Sequence, residues 1–224
     1  MSALVQSPGA RVSPAMVFAT ALAIGSLTAV IEGRGVHREL PVRRWVGHAS
    51  RSDQLLLDQC HGSTVDLGCG PGRLAAELRT RGQEVLGVDS SSSALREARR
   101  RGVPVLCGSL FDPIPDEGAW DTALLADGNI GIGGDPVALL RRAREVVHGR
   151  GRVVLDLAAP GTGLRVHQLH LRAGGLESTS FTWAELGPDA LSETATLAGL
   201  GVLEVVERRG RWVGVLTPAA VGRP

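Results

Sequence analysis

The sequence predicts an α/β fold: a doubly wound, mostly parallel β-sheet with helices on both faces, a C-terminal antiparallel hairpin and an N-terminal helical cover. Three observations predict it. Between residues 64 and 158, short apolar runs alternate with amphipathic segments that end in glycine, the punctuation of βαβ units. A glycine-rich loop, "GCGPG", stands between the first apolar run and the first of these helices. After residue 160 the pattern changes to strand-like alternation broken by "AGG" and by Arg209-Gly210, as antiparallel pairs require.

Taken in order, residues 1–14, with "SPGA" and "SP", read as a loose arm. "AMVFATALAIGSLTAVI", 15–31, reads as a helix packed on the domain. It falls short of the ~20 apolar residues of a membrane span or anchor and contains Thr20, Gly25, Ser26 and Thr28. "IEGRGVHRELPVRRWVG" has turn residues and Pro41 and reads as a lid-like connection, and 51–60 reads as a helix opened by capping-type Ser50, Ser52 and Asp53. "TVDLG" (64–68), "EVLGVD" (84–89), "VPVLCG" (103–108), "WDTALLAD" (120–127) and "GRVVLDLA" (151–158) read as strands, and the intervening "GRLAAELRTRG", "SSALREARRRG" and "DPVALLRRAREVVHGRG" as helices. Near-continuous apolar strands indicate a parallel sheet covered on both faces. "GLRVHQLHLRAGGLESTSFTWAEL" then reads as two strands, "GPDALSETATLAGLG" as a helix and "VLEVVERRGRWVGVL" as the hairpin.

At 224 residues with 43% hydrophobic content, the chain supports one large domain, or one domain with a small appendage, and a substantial core. A formal charge of +1 with interspersed signs recruits neither nucleic acid nor an anionic membrane. All 24 basic residues are arginine and tyrosine is absent, which reads as the codon bias of a GC-rich bacterial genome. Cys60, Cys69 and Cys107 form no CxxC pair, so they read as reduced thiols of a cytoplasmic protein without a metal site.

Ligands of such sheets bind beyond the carboxyl ends of the strands. There, Gly68, Gly70 and Gly72 make a GxGxG spacing, and Arg73 stands where a dinucleotide fingerprint has its third glycine, which argues against NAD. Missing Cβ atoms let a ligand touch main chain, and the next helix offers free N–H groups. Asp89 ends the second strand about 20 residues later, where an acidic side chain accepts bonds from ribose hydroxyls. Its other reading is the N-cap of the following helix, a role Ser90 to Ser93 fill equally well. The fourth strand ends in "ADGNIGIGG", a tight glycine turn with Asp127 and Asn129 as polar members.

"VDLGCGPGRL", "LGVDSS", "CGSLFD" and "WDTALLADGNIGIGGDP" together resemble the class I S-adenosylmethionine-dependent methyltransferases over residues 64–160. The resemblance implies a Rossmann-like fold, S-adenosyl-L-methionine as cofactor, S-adenosyl-L-homocysteine as product, and methyl transfer to a small-molecule acceptor such as a secondary metabolite. It implies that Asp66, Gly68, Cys69, Gly70 and Gly72 wrap the methionine end, that Asp89 holds the ribose and that Ser90 lies beside the adenine. Many relatives have Gly-Asp where this chain has Gly108-Ser109, leaving Ser109 Oγ and Leu110 N–H as adenine contacts, with Asp112 either a substitute or a turn residue. Asp127, Gly128 and Asn129 would lie next to the reacting methyl. The Asn/Asp-Pro-Pro-aromatic motif of nucleobase methylases is absent from this loop. On this division residues 1–50 are arm and cover, and 51–224 the methyltransferase domain, with a cofactor half to about 160 and an acceptor half beyond.

Methyl transfer from a sulfonium is an in-line displacement in which positioning supplies up to ~7–11 kcal/mol, so a general base is optional. Histidine suits that role near neutral pH. His167 and His170 share one strand and point to opposite faces, Arg165, Leu169 and Leu171 lying on the side of His167. His167 is therefore the catalytic candidate, with a structural histidine as the alternative. Trp45, Phe181 and Trp183 read as acceptor wall or core. "REARRR" and "RRAREVVHGRGR" read as solvent-facing helix ends, not an RNA site. The expected partner is a small molecule, with no nucleic acid or membrane, and the protein a monomer or homodimer. Two further readings stand beside methyl transfer: a non-methylating rearrangement on the same fold, and a cofactor-binding regulator.

Overall fold

The computed structural model describes residues 11–219; most of the expected N-terminal arm lies outside them. The chain first forms α1 (Pro14–Ile24), β1 (Leu27–Ile31), β2 (Val36–Leu40), α2 (Val42–Val46) and α3 (Gln54–Leu57). Here the structure departs from the sequence reading. The "SP" assigned to the arm starts α1: Ser13 accepts the Met16 N–H and Pro14 takes the first helical position. The helix expected over 15–31 ends at Gly25, which adopts a left-handed φ of 75° and donates to the Ala21 carbonyl. β-Branched Thr28, Val30 and Ile31 then continue as a strand. The lid-like connection is the second strand of a hairpin, and the helix expected over 51–60 shrinks to α3 because Asp53 turns its side chain inward.

The alternating region follows the expected order: β3 (Thr64–Leu67), α4 (Arg73–Thr80), β4 (Val85–Asp89), α5 (Ser92–Arg100), β5 (Val105–Cys107), β6 (Trp120–Leu125), α6 (Pro136–Val146) and β7 (Val147–Leu157). Next come β8 (Leu164–Ala173), β9 (Leu176–Glu177), β10 (Phe181–Leu186), α7 (Pro188–Leu197), β11 (Leu200–Arg208) and β12 (Arg211–Pro218). The seven-stranded sheet runs β11-β12-β7-β6-β3-β4-β5, parallel from β7 to β5, with β12 antiparallel to both its neighbours. Its central strands feed two cores: Leu125 and Leu155 face one, Leu124 and Val154 the other. That is why their sequences are continuously apolar. Arg209 and Gly210, at φ 55° and 78°, make the two-residue turn between β11 and β12.

The remaining strands form a second, antiparallel sheet in the order β10-β8-β1-β2, with β9 on β8. Residues before and after position 50 thus share one sheet, with Ala29 opposite Leu171. Together with α1 it covers the carboxyl ends of the parallel strands, and Ile132, in the loop after β6, bridges directly to Trp183. β4 and β6 flank β3, so the strand order reverses there and the crevice opens beneath the cover.

Candidate cofactor and acceptor site

A cavity of about 890 Å³ lies between the loops at the carboxyl ends of β3, β4 and β6 and the inner face of the cover sheet. The glycine loop forms one wall. Gly70 has φ 54° and open space where a Cβ would point, and its N–H donates to Asp89 Oδ2 at 2.9 Å. Gly68, at φ 81°, is bare for a different reason: a Cβ would meet Asn129 Nδ2 at 2.5 Å. Gly72 does not line the cavity. Its Cβ would meet Ala98 Cβ at 2.7 Å, so this glycine lets α4 approach α5 and its expected ligand contact is withdrawn. Cys69 is buried with its sulfur against β4 at Gly87, and burial pushes its thiol well above the ordinary range.

Asp89 is half-buried at the cavity edge, and burial raises its carboxyl above the usual value although Ser91 and Gly70 N–H groups oppose this. Ser91 N–H donates to Oδ1 at 2.7 Å, leaving each carboxylate oxygen a free lone pair. The helix-cap alternative falls to Ser91, whose Oγ accepts the Ala94 N–H. Ser90 is exposed at the cavity edge. Ser109 and Leu110 line the next stretch, but Ser109 Oγ already accepts the Phe111 N–H, and Asp112 accepts the Ser109 N–H as a turn residue outside the cavity. Arg142, expected to face solvent, is buried: it donates to the carbonyls of Leu110 and Asp112 and pins this loop from behind.

Asp66 lies buried in the wall, its carboxyl pushed up to about 7 by burial and then by the nearby Asp127 charge, with Arg73 opposing. Asp127 and Gly128 line the cavity in left-handed conformations, φ 53° and 85°. The Asp127 carboxylate is engaged by Arg73 at 2.5 Å, and Asn129 spends its amide donors on the carbonyls of Leu67 (2.9 Å) and Gly68 (2.8 Å). Asn129 therefore clamps the β6 loop to the end of β3, and only its Oδ1 remains for a ligand.

Arg73, in sequence merely an absent glycine, is the buried centre of an ion network. Its guanidinium, 3% exposed, bridges Asp127 to Asp53, which is fully buried. Asp53 also lies 2.7 Å from both Arg44 and Arg211, and Arg211 is 2.6 Å from Asp156. Burial disfavours ionised Asp53, but bonds from Ser50 and then the three arginines outweigh it and hold the carboxyl far below its usual range. This balanced set joins α2, α3, α4, the β6 loop, β7 and β12 behind the cavity. Acid–base alternation along the sequence carries no signal for such a cluster, since its members are far apart in the chain.

On the cover sheet, His167 faces the cavity opposite Trp183, and its Nε2 lies 3.3 Å from Glu185 Oε2. Arg38 on β2 reaches the other carboxylate oxygen at 2.5 Å. Burial disfavours the Glu185 charge, and Arg38 outweighs it, so the carboxyl stays below its ordinary value. His170 takes the opposite face, 3.4 Å from both Glu32 and Glu177, as a structural residue. Trp45, Phe181 and Trp183 all line the cavity, Trp45 also packing on Phe18. Among the described residues no His, Cys, Asp and Glu cluster is placed to hold a metal.

A glycine loop and an acidic strand end meeting at the switch point of this sheet, beneath an antiparallel cover, define the class I methyltransferase fold. Residues 64–151 match the family model described as a methyltransferase domain, and this is the stretch whose motifs resemble the class I S-adenosylmethionine-dependent methyltransferases. The fold matches a SAM-dependent methyltransferase from Bacteroides fragilis, crystallised with S-adenosyl-L-homocysteine, with TM-score 0.76 and 19% identity over 95% of this chain and 97% of that one. The CcbJ methyltransferase from Streptomyces caelestis matches with TM-score 0.60 and 20% identity over 79% and 92% of the two chains. The glycopeptide N-methyltransferase MtfA, complexed with S-adenosyl-L-homocysteine, matches with TM-score 0.56 and 16% identity over 74% and 85%. No protein of curated function matches the chain in sequence.

Proposed function

We propose that the protein transfers a methyl group from S-adenosyl-L-methionine to a small, largely apolar acceptor. One observation carries this reading: a single cavity runs from the Gly68–Gly70 loop and Asp89 to the apolar inner face of the cover sheet at His167. The S-adenosyl-L-homocysteine crystallised with the Bacteroides fragilis enzyme and with MtfA, and the sinefungin crystallised with MtfA, support it. The residues fit such a cofactor. Gly70 leaves main chain bare, Asp89 keeps lone pairs for two hydroxyls, and Asp66 gains a reason to ionise beside an ammonium group. Ser90, Ser109 and Leu110 flank the adenine end, while Asp127, Gly128 and Asn129 shape the methyl end.

When bound, the cofactor supplies an electrophilic sulfonium methyl. The chain's own work is to aim the acceptor along the S–CH3 axis and to exclude water, and both follow from a cover sheet bonded to the β6 loop through Ile132 and Trp183. Gly131 permits that contact: a Cβ there would lie 2.4 Å from Trp183 Nε1. His167, directly across the ladder from Trp183, is the polar group on this wall nearest in register to that loop. No helix among the described residues is long and apolar enough to cross a membrane. The test is incubation with methyl-labelled cofactor and a metabolite extract. The expected result is stoichiometric S-adenosyl-L-homocysteine and an acceptor heavier by one methylene; cofactor binding without any labelled product overturns the catalytic reading.

A further inference from the structure

We infer that the acceptor is a planar apolar molecule methylated on an acidic hydroxyl, a phenol or enol, with His167 as base and Glu185 as its positioning residue; this rests on the methyltransferase reading above. Arg38 and Glu185 come from opposite edges of the cover sheet, about 14 Å apart across three strand spacings, and they are also about 20 Å out of register along the strands, Arg38 lying in the row of Leu171 and Glu185 in that of Arg165. Their contact at 2.5 Å requires the sheet to curl, and the pair spans its concave face. Glu185 is thereby fixed and ionised, so His167 Nε2, 3.3 Å away, carries the proton and donates it to the carboxylate. Nδ1 is left as the basic nitrogen, with no protein partner among the described residues, on a side chain that lines the cavity.

Charge separates hydroxyl from amine acceptors. The charged groups of the acceptor wall are Arg38, Arg165 and Glu185, with Arg165 on the same face as His167. Glu185 is already shared between Arg38 and His167, so no free carboxylate awaits an ammonium group. The wall instead favours a group that becomes anionic. Phe181 and Trp183, edge to face at 6.3 Å, and Trp45 supply aromatic surface for a flat ring. In the step, the acceptor oxygen forms the O–CH3 bond as the S–CH3 bond breaks. The sulfur keeps the electron pair as a neutral thioether, and the hydroxyl proton passes to His167 Nδ1 and then to water. The imidazolium formed is stabilised by Glu185.

The experiment titrates the protein–S-adenosyl-L-homocysteine complex with para-nitrophenol, whose phenolate alone absorbs in the visible. The bound probe is expected to show the phenolate band at a pH where the free probe is mostly neutral, and para-nitroaniline to bind more weakly. His167→Gln should keep homocysteine-product binding yet lose the band. Glu185→Gln should weaken the band without weakening probe binding, which a merely structural role would not do. With S-adenosylmethionine, beta-naphthol should give its methyl ether with kcat at least ~10²-fold above His167→Gln, and beta-naphthylamine no product. A neutral bound phenol, a band that survives His167→Gln, or no probe binding while S-adenosyl-L-homocysteine binds, overturns the acceptor class alone. Absence of S-adenosyl-L-homocysteine binding overturns the methyltransferase reading and this inference with it.

Discussion

Replacing Asp53 by asparagine tests the ion network that supports the glycine loop. The substitution keeps the shape but removes the charge facing Arg44, Arg73 and Arg211, leaving the Arg73 guanidinium, 3% exposed, with Asp127 alone. Removing one partner of a buried pair typically destabilises by 3–5 kcal/mol; Asp127 and Asp156 still offset part of the charge, so a loss of about 2–4 kcal/mol is expected. At about 2–4 °C per kcal/mol for a chain this long, the thermal midpoint falls by about 4–16 °C. Urea unfolding followed by circular dichroism should show a lower midpoint with an unchanged slope. The pH dependence has a definite sign. A carboxyl held below its usual value adds stability above the ordinary carboxylate range and loses it as pH falls through the folded value, so the variant should show a shallower acid loss than wild type. A loss below about 1 kcal/mol would mean that these pairs behave as solvated surface contacts, and the network would not be what braces the loop.

Asp89→Ala should weaken S-adenosyl-L-homocysteine binding by ~1.5–3 kcal/mol and speed amide exchange at Gly70 and Ser91, whose N–H groups it holds; unchanged affinity in a folded variant refutes the ribose assignment. Gly68→Ala, at φ 81° and against Asn129, should abolish binding and destabilise by more than about 1 kcal/mol, whereas Gly72→Ala should lower stability through Ala98 but spare affinity in the folded fraction. Equal binding losses in the two would contradict their separate roles. Because burial pushes the Asp66 carboxyl up to about 7 and a cationic ammonium favours its ionised form, affinity should rise with pH up to about 7 and then level off. Calorimetry across that range should find this slope flattened in Asp66→Asn.

The parallel half of the fold was legible because each central strand is buried on both faces, which makes β3, β6 and β7 largely apolar words, and because the crossover helices α4 and α5 run into Gly82 and Gly102, although α6 passes straight into β7 at Val147. The cover sheet was not. Its strand β2, "VHREL", is exposed along most of its length and carries no core alternation, and β1 pairs with β8 from the far part of the chain. An apolar run that crosses Gly25 therefore reads as one helix when it is a helix and a strand. The site shows the same division. Loop positions such as Gly70, Asp89 and Gly128 follow from strand ends, and the alternation of β8 correctly set His167 and His170 on opposite faces. Partners such as Asp53 for Arg73 or Arg38 for Glu185 depend on register and sheet curl, which periodicity does not carry.

Gly70, Asp66 and Asp89 frame the proposed site for S-adenosylmethionine. Isothermal titration of the purified protein with S-adenosyl-L-homocysteine tests it most directly. One site per chain with micromolar or tighter affinity, weakened in Asp89→Ala, is the predicted outcome; no heat of binding up to millimolar concentration, with the protein folded, would contradict the account.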